Sequence, residues 1–334
     1  MSTFQVAQGF RHLVHRLGDP AEFGVAVSGA VLSADFLAPQ TAFATIEQFQ
    51  SPAWALDFHT AGVKARISGP LEPGWASLGF MRGRTESWFH GHRVHQGVLV
   101  CNPPGEGIDG CISPGFESAA INVPRTLWDQ CRLLAGADHA SFSQVRVHRL
   151  TPLTYATMER RLWTARDLLR RADTPEDAHF AARQAAAITV DAATLAWQLS
   201  AAPEASADSL RNRARLARRA EAWMREHLDE FLPISAACLA LRVSRRELEY
   251  AFRSSFDTSP RSFLHSLRLN AIRRALQNNT GDRSTVSEIA LNHGVAHFGR
   301  FSAQYRALFG ENPSETRRIV RLSMKLRRSY PGNS

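Results

Sequence analysis

Long hydrophobic runs are missing from these 334 residues. A bilayer-spanning helix needs about 18 consecutive apolar residues. The best candidate, GVAVSGAVL from Gly24, is far shorter and follows Asp19 and Glu22, where an export signal needs a basic flank. No membrane partner is therefore expected, and a cytoplasmic location is. Cysteine is scarce as well. Cys101, Cys111, Cys131 and Cys238 form no CxxC pair and no zinc-ligand spacing, which points to reduced thiols rather than a disulfide frame or a structural metal. The chain also lacks a glycine loop that could cradle nucleotide phosphates and a nucleophile with a matched base. It is expected to be no enzyme, to have no catalytic residues and to need no cofactor.

What the sequence does have is charge of one sign in one place. The formal net charge is +9, and residues 205–334 carry 23 Arg and Lys against 12 Asp and Glu, while the remainder is nearly balanced. An excess confined to one region favours a polyanionic partner over a merely solvated face. Nearly all of it is arginine, whose planar fork grips phosphates and guanine edges.

Three regions follow from composition and periodicity. Between Gly62 and Gly115 lie 11 of the 21 glycines, with Pro70, Pro73, Pro103, Pro104 and Pro114 among them, a turn density that long helices do not tolerate. Short apolar runs lie between the turns: ASLGFM from Ala76, HQGVLVC from His95 and SAAINV from Ser118. Residues 1–150 therefore read as a β-rich domain, a barrel or sandwich, with mixed structure in the first fifty. From Leu153 the period becomes helical, through Met158, Leu162, Ala165, Leu168 and Leu169, and again from Pro175 to Leu199 through Phe180, Ala187, Val190, Ala193 and Trp197. This connector, 151–204, either covers one face of the β domain or forms a dimer seam. Residues 200–209 are small and polar enough for a linker. Beyond it, 205–334 reads as helical throughout, opening with an arginine-studded helix whose apolar side is Leu216, Ala220, Trp223, Met224 and Leu228.

Two helix-turn-helix units can be delimited within that last region. In the first, about 234–256, Ser244 and Glu247 form a Ser-x-x-Glu capping box, and Leu248, Phe252 and Phe256 make one apolar stripe. The other side carries Arg245, Arg246, Glu249, Tyr250 and Arg253. Ser259 and Pro260 then start a longer helix reaching about Gln277. In the second unit, about 285–309, Thr285 and Glu288 form another capping box and Gly294 is placed for the sharp turn. Phe298, Phe301, Tyr305 and Phe309 are the expected core stripe, leaving His297, Gly299, Arg300, Ala303 and Arg306 on or near the open face. Asn312, Pro313 and Glu315 begin one more helix. A pair of basic helices at this separation suits two successive major-groove insertions.

The segments VSRRELEYAFRSSFDTSPRSFLHSLRLNAIRRAL and IALNHGVAHFGRFSAQYRALFGENPSETRR resemble the C-terminal domain of the AraC/XylS family of bacterial transcription regulators. The resemblance covers about a third of the chain and is more specific in the second segment, where the Gly, Phe, Phe, Gly and Pro positions fall in register. It implies base contacts from Arg245, Arg246, Glu249 and Tyr250 and from His297, Gly299, Arg300 and Ala303. Arg246 or Arg300 could pair with guanine O6 and N7, and Glu249 with cytosine N4. Arg253, Arg268 and Arg306 read as phosphate contacts. Double-stranded promoter or operator DNA and RNA polymerase are the implied partners. Two positions depart from the family: Arg242 and Asp257 stand where glycines are usual. Aspartate tolerates a left-handed backbone better than arginine does, so the first turn is expected to be strained or of another type.

The order of regions resembles family members with a cupin-like effector-binding or dimerisation domain, so the fold class is multidomain α+β: a β-rich domain, a helical pair, then an all-α double helix-turn-helix domain. An unidentified small-molecule effector and a homodimer follow from that likeness. Trp54, Phe58, Trp75, Phe80, Trp88 and Phe89 either line an apolar pocket or form core, the commoner role. His90, His92 and His95 resemble the histidine pair of metal-binding cupins, but Gln96 stands where the carboxylate belongs, and a bonded or surface histidine cluster is the preferred reading. The leading expectation is an effector-responsive, sequence-specific DNA-binding regulator. The alternatives are a DNA-binding protein whose first half only dimerises, and a metal-binding cupin enzyme fused to a DNA-binding domain.

Overall fold

The computed structural model describes residues 2–4, 10–25, 27–39, 42–137, 144–200, 208–278, 284–295 and 297–320. The linker expected at 200–209 lies almost wholly outside them. The chain divides into two units, one of residues 1–34 and 41–208, the other of 35–40 and 209–334.

In the first unit the glycine- and proline-punctuated runs become antiparallel strands in two sheets. One has the order β1 (Ser2–Phe4), β2 (Arg11–Leu17), β4 (Ala44–Gln50), β5 (Ala55–Ala61), β12 (Phe116–Pro124), β7 (Trp75–Met81), β10 (Val98–Asn102) and β13 (Arg146–Arg149). The other runs β3 (Ser33–Phe36), β6 (Ala65–Pro70), β11 (Gly107–Ile112), β8 (Ser87–Phe89) and β9 (His92–Val94). β12 is central, pairing Ser118 with His59 on one side and with Met81 on the other. Side chains alternate across a strand, so Ser118 and Ala120 face one way while Ala119, Ile121 and Val123 face the other and are fully buried.

That second face is covered by helices α1 (Arg125–Leu134), α2 (Pro152–Arg170) and α3 (Pro175–Ser200). Phe80 stacks on Tyr155 at 5.1 Å, Phe58 meets Trp163 edge-on at 5.4 Å, and Trp197 donates its Nε1 proton to the Trp128 carbonyl. The helical pair thus shares one core with the sheet. The buried face of α3 is an alanine face, Ala178, Ala181, Ala185, Ala192, Ala193 and Ala196, with Ile188 and Trp197. Phe180, expected inside, is 47 % exposed, and Leu153 on α2 is 78 % exposed. Small side chains let α3 lie close to its neighbours, and burial follows that approach rather than side-chain size. α2 is also tied to the sheet by charge: the buried Glu47 accepts from His12 Nε2 at 3.0 Å, from Arg166 Nε at 2.6 Å and from Arg170 Nε.

The second unit holds α4 (Asp208–Glu226), α5 (Ile234–Leu241), α6 (Arg245–Phe256), α7 (Pro260–Asn278), α8 (Val286–Leu291), α9 (Phe298–Phe309) and α10 (313–320). α7 belongs to both helix-turn-helix cores. Phe263 near its start packs against Phe252 and Phe256 at 5.2 and 4.7 Å. Toward its end Arg273 lies 4.6 Å from the Phe309 ring and 3.0 Å from Glu311, beside the bonded pair Tyr305 and Thr316. Residues 35–40 complete this unit. The Asn270 amide bonds both the N–H and the carbonyl of Phe36, at 3.0 and 2.9 Å, and Asp35, 1 % exposed, accepts from Arg225 and Arg274 at 2.6 and 2.7 Å.

Candidate nucleic-acid interface

Helices α6 and α8 begin where their caps dictate, whereas α9 starts after His297 with no side-chain cap. Ser244 Oγ accepts from the Glu247 N–H at 3.2 Å while Glu247 Oε2 accepts from the Ser244 N–H at 2.7 Å, and Thr285 with Glu288 repeats the exchange at the start of α8. Each box satisfies two amide donors that a helix start leaves open. The turns between helices use left-handed residues. Arg242 closes α5 at φ 55°, Asp257 closes α6 at φ 49°, and Gly294 sits at φ 71° after α8. The first turn therefore keeps the geometry that glycine would adopt, with arginine bearing the strain. At Gly294 the positive φ disfavours any side chain, and a Cβ, 2.9 Å from the Arg268 guanidinium, would also require that flexible group to shift.

With one stripe buried, the opposite face of each helix is open. On α6, Leu248, Ala251, Phe252 and Phe256 are buried, while Arg245, Arg246, Tyr250 and Arg253 are exposed and Glu249 is half-buried. Tyr250 steadies its neighbours: Arg246 donates to its hydroxyl at 3.3 Å, and the Arg246 and Arg213 guanidiniums lie 5.4 and 6.0 Å from the ring centre. On α9 the buried residues are Phe301, Tyr305, Leu308 and Phe309, and His297, Gly299, Arg300, Ala303 and Arg306 are exposed. Phe298, expected in the core stripe, occupies the first helical position with 41 % of its surface exposed. Nothing lies within 4 Å of a Cβ built on Gly299, so internal packing does not demand glycine there.

Arg245, Glu249, His297 and Arg300 line one groove of about 760 Å³, with Arg261 and Arg268 of α7 on its wall. Arg246, Tyr250, Arg253, Gly299, Ala303 and Arg306 are not on that wall. Arg261, exposed in the first turn of α7, went unremarked in the sequence; its signal was an arginine directly after the Ser259–Pro260 helix start. Arg268, read above as a phosphate contact, is half-buried and donates to the Glu230 carbonyl at 2.5 Å beneath Gly294. Burial pushes its pKa down, and it braces the second turn.

A different site lies in the first unit. A cavity of about 80 Å³ opens between the two sheets, walled by residues such as Ile46, Val100, Ile67 and Phe89. Of the six aromatics flagged in the sequence only Phe89 reaches it, joined by Phe23 and Phe116. Trp54, Phe58 and Phe80 belong instead to the core under the helices; Trp88 is buried off the cavity wall and Trp75 half-buried. His59 Nδ1 lies 3.1 Å from Ser118 Oγ on the cavity wall, and burial lowers its pKa to about 4. The three flagged histidines do not converge. His90 sits at φ 52° in the turn before β9, and His95 is bonded to Arg149 at 2.9 Å and to the Gln96 carbonyl. Among the described residues no group of three His, Cys, Asp or Glu is placed to hold a metal, and no helix is long and apolar enough to cross a membrane.

Residues 237–319 match a family described as a helix-turn-helix domain. Over this part the chain is similar to the XylDLEGF operon transcriptional activator of Pseudomonas putida, 31 % identical over 96 residues, which make up 29 % of this chain and 30 % of that protein. It is likewise similar to the probable thc operon regulatory protein of Rhodococcus erythropolis, 32 % identical over 98 residues, 29 % of this chain and 30 % of that one. A solved transcriptional regulator of Chromobacterium violaceum, described by its AraC-type DNA-binding domain, is 28 % identical at a TM-score of 0.30, covering 36 % of this chain and 98 % of its own. The chain spans under a third of the length of these two relatives. Two capped helix-turn-helix units sharing one central helix make this C-terminal region a double helix-turn-helix domain. It is a domain of the AraC/XylS type.

Proposed function

We propose that the protein is a sequence-specific DNA-binding transcription regulator, with α6 and α9 entering successive major grooves of one duplex. The observation that carries this reading is the pair of helices with open basic faces, α6 and α9, set apart by a shared α7 of 19 residues, about 28 Å at 1.5 Å per residue and so close to one DNA turn. Arg245, Arg246, Glu249 and Tyr250 read bases in one groove, and His297, Gly299, Arg300 and Ala303 in the next. Arg253 and Arg306 hold phosphates. The space open in front of Gly299 supports close approach of backbone to DNA, and the groove between Arg245 and Arg300, with Arg261 on its wall, suits the phosphate strands between the two insertions.

In this reading residues 1–150 form an effector-sensing domain, 151–204 a helical connector and 205–334 the DNA-binding domain, to which 35–40 contribute. A small molecule in the inter-sheet cavity regulates DNA binding. RNA polymerase and a second copy of the chain are the protein partners, and the cytoplasm is the site of action. Selection of duplexes from a random pool by the full chain tests the proposal: a recurrent sequence with two half-sites one turn apart supports it, and enrichment of no sequence at low salt rejects it.

A further inference from the structure

The wall of the inter-sheet cavity specifies what kind of molecule fits it. Among the described residues no Asp, Glu, Lys or Arg lines it, and its single titratable side chain is His59, bonded to Ser118. Arg66, next to the wall residue Ile67, stands on the opposite face of β6 and is held by Asp109 at 2.7 Å and by the Ile67 and Gly110 carbonyls. The nearest acid on the His59 face of β5 is Asp57, held by Ser28 and Gln48. An anion in this cavity would thus lose its hydration with no counter-charge among the described wall residues and with a carboxylate two residues from His59.

One polar atom on the wall is unmatched. Asn102, 4 % exposed, donates from Nδ2 to the Ser77 carbonyl at 3.3 Å, which fixes the amide orientation, and its Oδ1 meets no donor of the protein. A buried acceptor left without a partner is costly, and a ligand donor removes that cost. A cavity of about 80 Å³ is about half the volume of the apolar cavities, about 150 Å³, known to take up benzene, so a single ring is its upper limit.

We propose that this cavity selects a small, electrically neutral, apolar molecule bearing one hydrogen-bond donor, which Asn102 Oδ1 accepts. The proposal rests on the reading of the β domain as the sensing part of the protein and adds the chemical class that it senses. His59, neutral at pH 7 because burial holds its pKa near 4, offers an anion no charge.

Calorimetric titration and thermal shift of the full chain with phenol, toluene and benzoate at pH 7 test it. Phenol is expected to bind, toluene about tenfold more weakly, the loss of about one hydrogen bond, and benzoate not at all. Asn102→Leu should reverse the order of phenol and toluene. Because the phenol-to-toluene ratio is read first in the unaltered chain, a variant that fails to fold leaves the test intact. Equal binding of phenol and toluene by the unaltered chain, benzoate binding as tightly as phenol, or no binding of any of the three overturns the proposal. DNA affinity measured with and without saturating phenol separates the two levels: binding as expected with unchanged DNA affinity removes the effector reading and leaves the selectivity of the cavity standing.

Discussion

Glu47→Gln isolates the ionic tie between α2 and the sheet. The carboxylate is 3 % exposed, and burial alone would raise its pKa; hydrogen bonds from His12, Arg170 and Arg166 outweigh that and lower it from 4.5 to about 2. Because the folded pKa lies below the unfolded one, the stabilisation is fully present above about pH 4.5 and is lost as pH falls toward 2. At about 1.36 kcal/mol per pH unit the difference is worth about 3 kcal/mol, and the bare Arg166 and Arg170 left by the substitution are partly solvated, which trims it to about 2–3 kcal/mol. Urea unfolding of the wild-type and Gln chains, followed through the tryptophans packed between sheet and helices, measures it. The gap between the two should be constant from pH 7 to 5 and close below pH 4. A gap of the same size at pH 3 as at pH 7 would refute the assignment.

Asp57 should behave with the opposite sign. Burial raises its pKa from 3.8 to about 6 against hydrogen bonds from Ser28 and Gln48, so the wild type gains stability as pH falls from 6 toward 4, and Asp57→Asn should erase that rise in the same unfolding series. Arg242→Gly should raise the melting temperature of the second unit: relief of the left-handed arginine, about 1–2 kcal/mol, exceeds the entropy cost of glycine, about 0.5–1 kcal/mol, and a lowered melting temperature would contradict the strain. Asp35→Asn should cost about 3 kcal/mol, since it leaves Arg225 and Arg274 without their shared carboxylate; denaturant titration reads this, and a loss below about 0.5 kcal/mol, the range of an ordinary surface change, would deny the pair a structural role.

The elements announced by local chemistry were legible in the sequence. Both capping boxes need only four consecutive residues, and both are present; the turn at Gly294 needs one. The strand runs around Leu78, Val100 and Ile121 were visible because glycine and proline bound them. Where burial depends on long-range approach, local pattern misled. Phe180 outweighs the alanines of α3 on any hydrophobicity scale, yet the alanine face is the one that a close neighbour can cover. Phe298 continues a helical stripe in sequence but stands at the first helical position, half in solvent. Nothing near Asp35 signals that residues 35–40 belong with a unit whose other residues begin at 209, because the match is made by Asn270 and two arginines distant in the chain. The inter-sheet cavity was equally hidden: Asn102, His59 and Phe89 become neighbours only when two sheets close, and the aromatic residues that looked most like a pocket were mostly core.

The central claim is that one chain reads two adjacent major grooves with α6 and α9. Methylation interference on a selected duplex, run with the full chain and with Arg246→Ala and Arg300→Ala, tests it most directly. Two patches of guanines whose N7 methylation blocks binding, about 10 base pairs apart on one face, the first weakened by the Arg246 change and the second by the Arg300 change, are expected. A single patch, or equal loss of both patches in each variant, would contradict it.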